Sequence, residues 1–219
     1  MLEPWEKANG VCTSCIKNGK VRLAKEPLCK KCGRGLKSDT MEYCERCQKH
    51  SHIFIQAKSV YFYSGEAKTG MYRFKYANRR AYARTYAKTA ILMHSRWLKA
   101  ISPDAIIPVP MYKKKERDRG YNQATVFAKE LSKVTGIPCD DKTLIRTRNT
   151  TPQKLLDATE RQENLQSAFQ LREVGVKYKK VLLVDDIFTT GATVDEASKA
   201  LLSAGVENVY VMTVCVGEA

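Results

Sequence analysis

No apolar run among the 219 residues approaches the roughly 20 needed to span a bilayer. The opening stretch MLEPWEKANG has no apolar h-region, so no signal peptide is expected and the chain reads as cytoplasmic. Neither glycine-rich nucleotide motif occurs: there is no GxxxxGK(S/T) loop and no GxGxxG. Walker-type and Rossmann-type phosphate binding are thereby excluded. No helix-turn-helix pattern is evident, which weighs against a transcription regulator of that build. Acidic residues are scarce, 23 against 38 Lys and Arg, for a formal charge of +15. Such an excess favours anionic partners, whether phosphate ligands, nucleic acid or an acidic surface; a solvated basic surface is the plainer account.

What is present is a cysteine-rich beginning. Six of the eight cysteines lie in residues 1–50, as the pairs Cys12/Cys15, Cys29/Cys32 and Cys44/Cys47. Disulfides are not expected in a reducing compartment, and this segment has few large aliphatics with which to build a core. A metal is the expected staple, since two CxxC knuckles supply four thiolates for tetrahedral Zn²⁺. Cys29, Cys32, Cys44 and Cys47 are the preferred set, because Gly33 helps the knuckle turn back towards the metal. Cys12 and Cys15 are then a spare pair, or replace one of the others. His50 and His52 read as exposed linker residues, with a histidine ligand as the alternative. Cys139 and Cys215 stand alone as plain thiols.

The remainder alternates strand and helix patterns. Residues 59–63 (SVYFY) read as a strand, 65–68 as a turn, and 71–76 as the start of a helix. A longer helix is expected over 80–97, from Tyr82, Tyr86, Ala90, Met93 and Trp97 at helical spacing. Arg73, Lys75, Arg79, Arg80, Arg84 and Lys88 are interleaved with tyrosines. That mixture suits single-stranded nucleic acid, or else a helix with a buried tyrosine face and a solvated basic one. Residues 105–109 (AIIPV) form a second strand, followed by a basic loop with Lys113, Lys114, Lys115, Arg117 and Arg119. Cations in a loop at a strand end suit a pyrophosphate. Asn122 or Gln123 is expected to cap a helix over 124–134. A strand at 144–147 precedes a long polar stretch with Arg146, Arg148, Gln153, Lys154, Arg161 and Asn164, which reads as a lid.

Residues 181–193, VLLVDDIFTTGAT, hold the most specific chemistry. A buried strand of a parallel sheet delivers Asp185 and Asp186 to its carboxyl end. Thr189, Thr190, Gly191, Ala192 and Thr193 follow, and a helical pattern begins at Val194. Hydroxyls and backbone N–H groups at a helix N-terminus can surround a phosphate. Two carboxylates can accept vicinal hydroxyls, directly or through Mg²⁺. A phosphate beside a diol describes ribose 5-phosphate. A last strand is expected over 208–215.

The stretch 181–193 resembles the phosphoribosyl pyrophosphate (PRPP) signature of type I phosphoribosyltransferases. Together with PVPMYKKKERDRGYNQA and the cysteine pairs, it resembles the ComF family of competence-associated proteins. The resemblance implies an α/β chain with a type I phosphoribosyltransferase-like fold, a mainly parallel sheet flanked by helices, behind a small zinc-ribbon head. The expected division is a head at 1–52 and a phosphoribosyltransferase-like domain at 53–219. It implies that Asp185 and Asp186 hold the ribose hydroxyls, with Mg²⁺, and are the catalytic residues. Residues Asp186, Thr189, Thr190, Gly191, Ala192 and Thr193 would wrap the phosphate, and Lys113, Arg117 and Arg119 would face the pyrophosphate. It implies a role with single-stranded DNA in natural transformation, beside a helicase-like partner. The family's longer members carry a further CxxC pair that this chain lacks. Two readings stay open: a phosphoribosyltransferase whose acceptor no side chain names, and a DNA-binding adaptor that keeps the fold for binding. A PRPP-sensing regulator is a third.

Overall fold

The computed structural model describes residues 18–148, 168–172 and 176–218. Its centre is a four-stranded, all-parallel sheet in the order β1-β6-β5-β2. The strands are β1 (Ala57–Phe62), β2 (Ala105–Pro108), β5 (Lys180–Phe188) and β6 (Asn208–Val216). Parallel strands need crossover connections, and helices supply them on both faces. A two-stranded antiparallel pair, β3 (Leu144–Arg146) and β4 (Phe169–Leu171), stands apart from the sheet.

The head contributes a short helix, α1 (Glu45–Lys49), which starts directly after Cys44 and carries Cys47. One face of the sheet is covered by α2 (Gly65–Tyr76), α3 (Tyr82–Ile101) and α5 (Gln123–Thr135). Met71, Phe74, Tyr86, Ala90, Phe127 and Leu131 pack there against Val60, Ile106, Leu182 and Met212. The other face carries α6 (Ala192–Ser203), through Val194, Ala197 and Leu201, and the β3–β4 pair, through Leu144 and Phe169. The cysteine head lies on this face too. Cys29, Cys32, Cys44 and Phe54 belong to the same apolar cluster as Ile107, Leu183 and Val211. The head is tied to β1 as well, where Ala24 N–H donates to the Val60 carbonyl at 2.9 Å.

Several expectations need correction. Residues 65–68 are not a turn but the first turn of α2, since Ala67 brings the apolar face of that helix down to the core. The basic stretch is not a loop: α4 (Lys113–Arg119) is a helix, closed by Gly120 at φ 84°. Its Lys and Arg run has high helix propensity, which the charge density masks. β5 continues past Val184 through the two acids to Phe188, because β6 pairs with it up to Val216. The helix cap falls as expected on Asn122, whose side chain accepts from Ala124 N–H at 3.0 Å. Its amide also donates to the Val109 carbonyl at 2.9 Å, which ties the helix to the end of β2. Cys12, Cys15, Gln153, Lys154, Arg161 and Asn164 lie outside the described residues.

Candidate functional site

β5 is buried from Val181 to Val184 and carries Asp185 and Asp186 out at its carboxyl end. There the Asp186 N–H donates to Asp185 Oδ1 at 2.7 Å, and Asp186 Oδ2 lies 2.9 Å from Lys75 Nζ on α2. Burial, and then the Asp186 charge, push the Asp185 carboxyl up to about 7; the Asp186 N–H, Lys75 and Arg146 pull the other way. Arg146, on β3, is itself held below the ordinary guanidinium value by burial, with Asp185 opposing. Lys115 on α4 is lowered by burial and by the repulsion of Arg146 and Arg119. Lys115 is thus close enough to feel both Arg146 and Arg119, and Arg146 also feels Asp185.

After Phe188 the chain turns through Thr189 and Thr190 to Gly191, which caps α6 at φ 90°. A small pocket is lined by Asp185, Thr189, Gly191 and Thr193, with Phe188 and Val194 as its apolar wall. Thr190 Oγ1 accepts from Ala192 N–H at 3.3 Å. The structure therefore brings Asp185, Thr189, Gly191 and Thr193 together, with Thr190, Ala192 and Asp186 alongside. Of the three cations expected to face a pyrophosphate, Arg119 joins the cluster through Lys115, whereas Lys113 and Arg117 are exposed on α4.

Residues from the head reach the same turn. Arg34 Nη2 donates to the Thr189 carbonyl, and its Nη1 to the Glu218 carbonyl. His52 is not an exposed linker residue; its side chain is 5% exposed, with Nδ1 2.7 Å from Asp195 Oδ2 in the first turn of α6. Asp195 Oδ1 also accepts from Ile53 N–H at 3.0 Å. The ring stacks on Phe54 and meets Phe188 edge-on. A Cβ on Gly191 would come within 2.4 Å of His52 Cε1, so glycine is required there by space as well as by φ. His50, by contrast, is exposed.

Ligand atoms of Cys29, Cys32, Cys44 and Cys47 all lie within 4.8 Å of one another and could hold a metal ion. The four thiols are close enough to perturb one another. A hydrogen bond from Cys32 holds Cys29 down at about 4, the same bond drives Cys32 up, and burial pushes Cys47 up to about 12. A soft divalent ion would let all four ionise. The donor set fits Zn²⁺.

A second surface is cationic and aromatic. Residues 67–103 contain nine Lys and Arg and no Asp or Glu. Its tyrosines divide: Tyr86 is buried and Tyr82 half-buried, whereas Tyr72 and Tyr76 on α2 are more than 60% exposed. The exposed rings lie 5.0 Å apart between centroids, and the Arg119 guanidinium covers Tyr76 at 5.0 Å.

Lys75, Arg34 and His52 are not readable as site residues from the sequence. Lys75 falls among the interleaved cations of 73–88, and nothing local marks it as the partner of a carboxylate two strands away. Lys115 stands within the basic run without distinction from Lys113.

A parallel sheet with acids and a hydroxyl-rich turn at one strand end is the architecture of phosphoribosyltransferases, and the phosphoribosyl transferase domain family matches residues 121–219. A purine phosphoribosyltransferase structure from Pyrococcus horikoshii Ot3 aligns over 61% of this chain and 83% of its own, at 14% identity and a TM-score of 0.38. Over nearly the full length the similarity is to competence proteins. "Competence protein F" of Haemophilus influenzae is 34% identical over 93% of this chain and 89% of its own. "DNA utilization protein YhgH" of Escherichia coli O157:H7 is 29% identical over 94% and 90%. The chain belongs to the ComF family.

Proposed function

We propose that this chain binds PRPP, or a phosphoribosyl group, and handles single-stranded DNA in the cytoplasm during natural transformation. The observation that carries this reading is the meeting of a paired acid with a hydroxyl-rich turn at a helix N-terminus. Asp185 and Asp186 end β5, and Thr189 to Thr193 open α6 within one continuous stretch. The turn offers hydroxyls and backbone N–H groups to the phosphate, and the acids accept the ribose diol. Lys115, Arg119 and Arg146 supply positive charge for a pyrophosphate, which would bring its own Mg²⁺. In turnover, pyrophosphate would leave the anomeric carbon as an acceptor attacks, with positioning and electrostatics as the main contributions. Zn²⁺ at Cys29, Cys32, Cys44 and Cys47 would hold the head, residues 1–52, against the domain at 53–219. The test is genetic. Exchange of the chromosomal copy for Asp185→Asn/Asp186→Asn should abolish transformation while the protein level is kept. Undiminished transformation would remove phosphoribosyl binding from the biological role.

A DNA-binding adaptor for a helicase partner is the second reading, favoured by Tyr72 and Tyr76 in an acid-free cationic stretch. Stacking a base on tyrosine is worth about 1–3 kcal/mol. Tyr72→Ala/Tyr76→Ala should therefore weaken binding of a labelled oligothymidylate in fluorescence anisotropy without altering its salt dependence. Arg79→Gln/Arg80→Gln should reduce the salt slope by about 0.7 for each phosphate left without its cation. If neither change affects DNA affinity, DNA binds elsewhere.

A further inference from the structure

The acid pair is already balanced by charge from elsewhere in the chain. Lys75 comes from α2, which follows β1 at the edge of the sheet, while Asp186 is on β5 beyond the intervening β6. Its ammonium stands 2.9 Å from Asp186 Oδ2, with the side chains only 18% and 14% exposed. Asp185, the other member, feels both Lys75 and Arg146. Asp186 thus faces a fixed ammonium from the helix, and the pair also lies in the field of a guanidinium from the hairpin. A divalent ion arriving at Asp186 would have to displace a largely desolvated ammonium or bind beside it against direct repulsion. A sugar diol meets no such obstacle: its hydroxyls donate to carboxylate lone pairs that the ammonium leaves open.

We propose that Lys75 fills the charge-balancing role of a divalent ion at the Asp185–Asp186 pair, so that the pair accepts a ribosyl diol with no metal on either carboxylate. The inference rests on the phosphoribosyl reading of the site, and it confines magnesium to the pyrophosphate of an incoming PRPP. Lys75 is a positioning residue: it fixes the Asp186 carboxylate and offsets its charge beside Asp185.

Two measurements on the zinc-loaded protein test it. The first uses Mn²⁺ alone, followed by electron paramagnetic resonance, and needs no sugar. Wild type should show no manganese site that Asp186→Asn removes. Lys75→Met should gain one, Lys75→Met/Asp186→Asn should lose it again, and Lys75→Arg should behave as wild type. The second titrates ribose 5-phosphate calorimetrically in magnesium-free and magnesium-containing buffer. Wild-type affinity should be unchanged by magnesium. Lys75→Met should bind at least about tenfold more weakly in magnesium-free buffer and recover with the ion. A wild-type manganese site at Asp186, or magnesium-dependent binding of ribose 5-phosphate by wild type, would overturn the proposal, and both arms stand even if Lys75→Met does not fold. Failure of wild type to bind ribose 5-phosphate in either buffer would sink the phosphoribosyl reading and the diol half with it. The manganese result would still decide the place of Lys75.

Discussion

Asp185 shows how one residue can be legible in kind and illegible in state. Its place at the end of an apolar run, before Asp186 and the threonine turn, is plain in the sequence. Its ionisation is not, because that depends on burial and on Lys75 and Arg146, which come from distant parts of the chain. The carboxyl is pushed up to about 7, so the folded state holds a proton that the unfolded chain releases. The contribution to stability is therefore full below the unfolded value of about 3.9 and is lost as pH rises towards the folded one, by about 1.4 kcal/mol for each pH unit crossed. Asp185→Asn is expected to gain in melting temperature relative to wild type between about pH 5 and about pH 8. A difference that stays flat with pH would mean that Asp185 titrates as an ordinary surface carboxylate. His52 is opaque for a similar reason: a histidine near cysteine knuckles looks like linker, and only the fold brings it to Asp195 and Gly191.

Among the elements, the head and the threonine turn are joined more closely than their separation in the chain suggests. Arg34 follows the knuckle of Cys32 and grips the Thr189 carbonyl, while His52 and Ile53 hold Asp195 at the start of α6. The head thus braces the turn from one side as β5 presents it from the other. Arg34→Ala is expected to speed hydrogen exchange at the amides of residues 189–193 while zinc content stays full. Exchange there at the wild-type rate would show that the turn is held by β5 and α6 alone. The strands β1, β2, β5 and β6 are legible because each is a short apolar run in a sheet covered on both faces. The helix α4 is not, since all its residues but Arg119 are exposed and it carries no apolar stripe to reveal a helical period. The strand β4 escapes a sequence reading because it has three residues and its pairing partner β3 is remote in sequence.

For the whole molecule, the +15 charge has two destinations. Part lies within the site, on Lys75, Lys115, Arg119 and Arg146. Another part, the other cations of residues 67–103, lies on the stretch that carries the exposed pair Tyr72 and Tyr76. Composition alone cannot separate the two groups; the structure does, because Lys75 and Arg146 are partly enclosed at the acid pair whereas most cations of the second group face solvent. Whether a phosphoribosyl group is the ligand of this ComF-family chain is decided at the acid pair and the threonine turn. The most direct measurement is a calorimetric titration of the zinc-loaded chain with PRPP in magnesium buffer, beside Asp185→Asn/Asp186→Asn. Saturable one-site binding by wild type, lost in a double variant that melts normally, is the expected result. Heat of dilution alone in wild type, or equal binding by both proteins, would contradict the assignment of the acid pair and the threonine turn as a phosphoribosyl site.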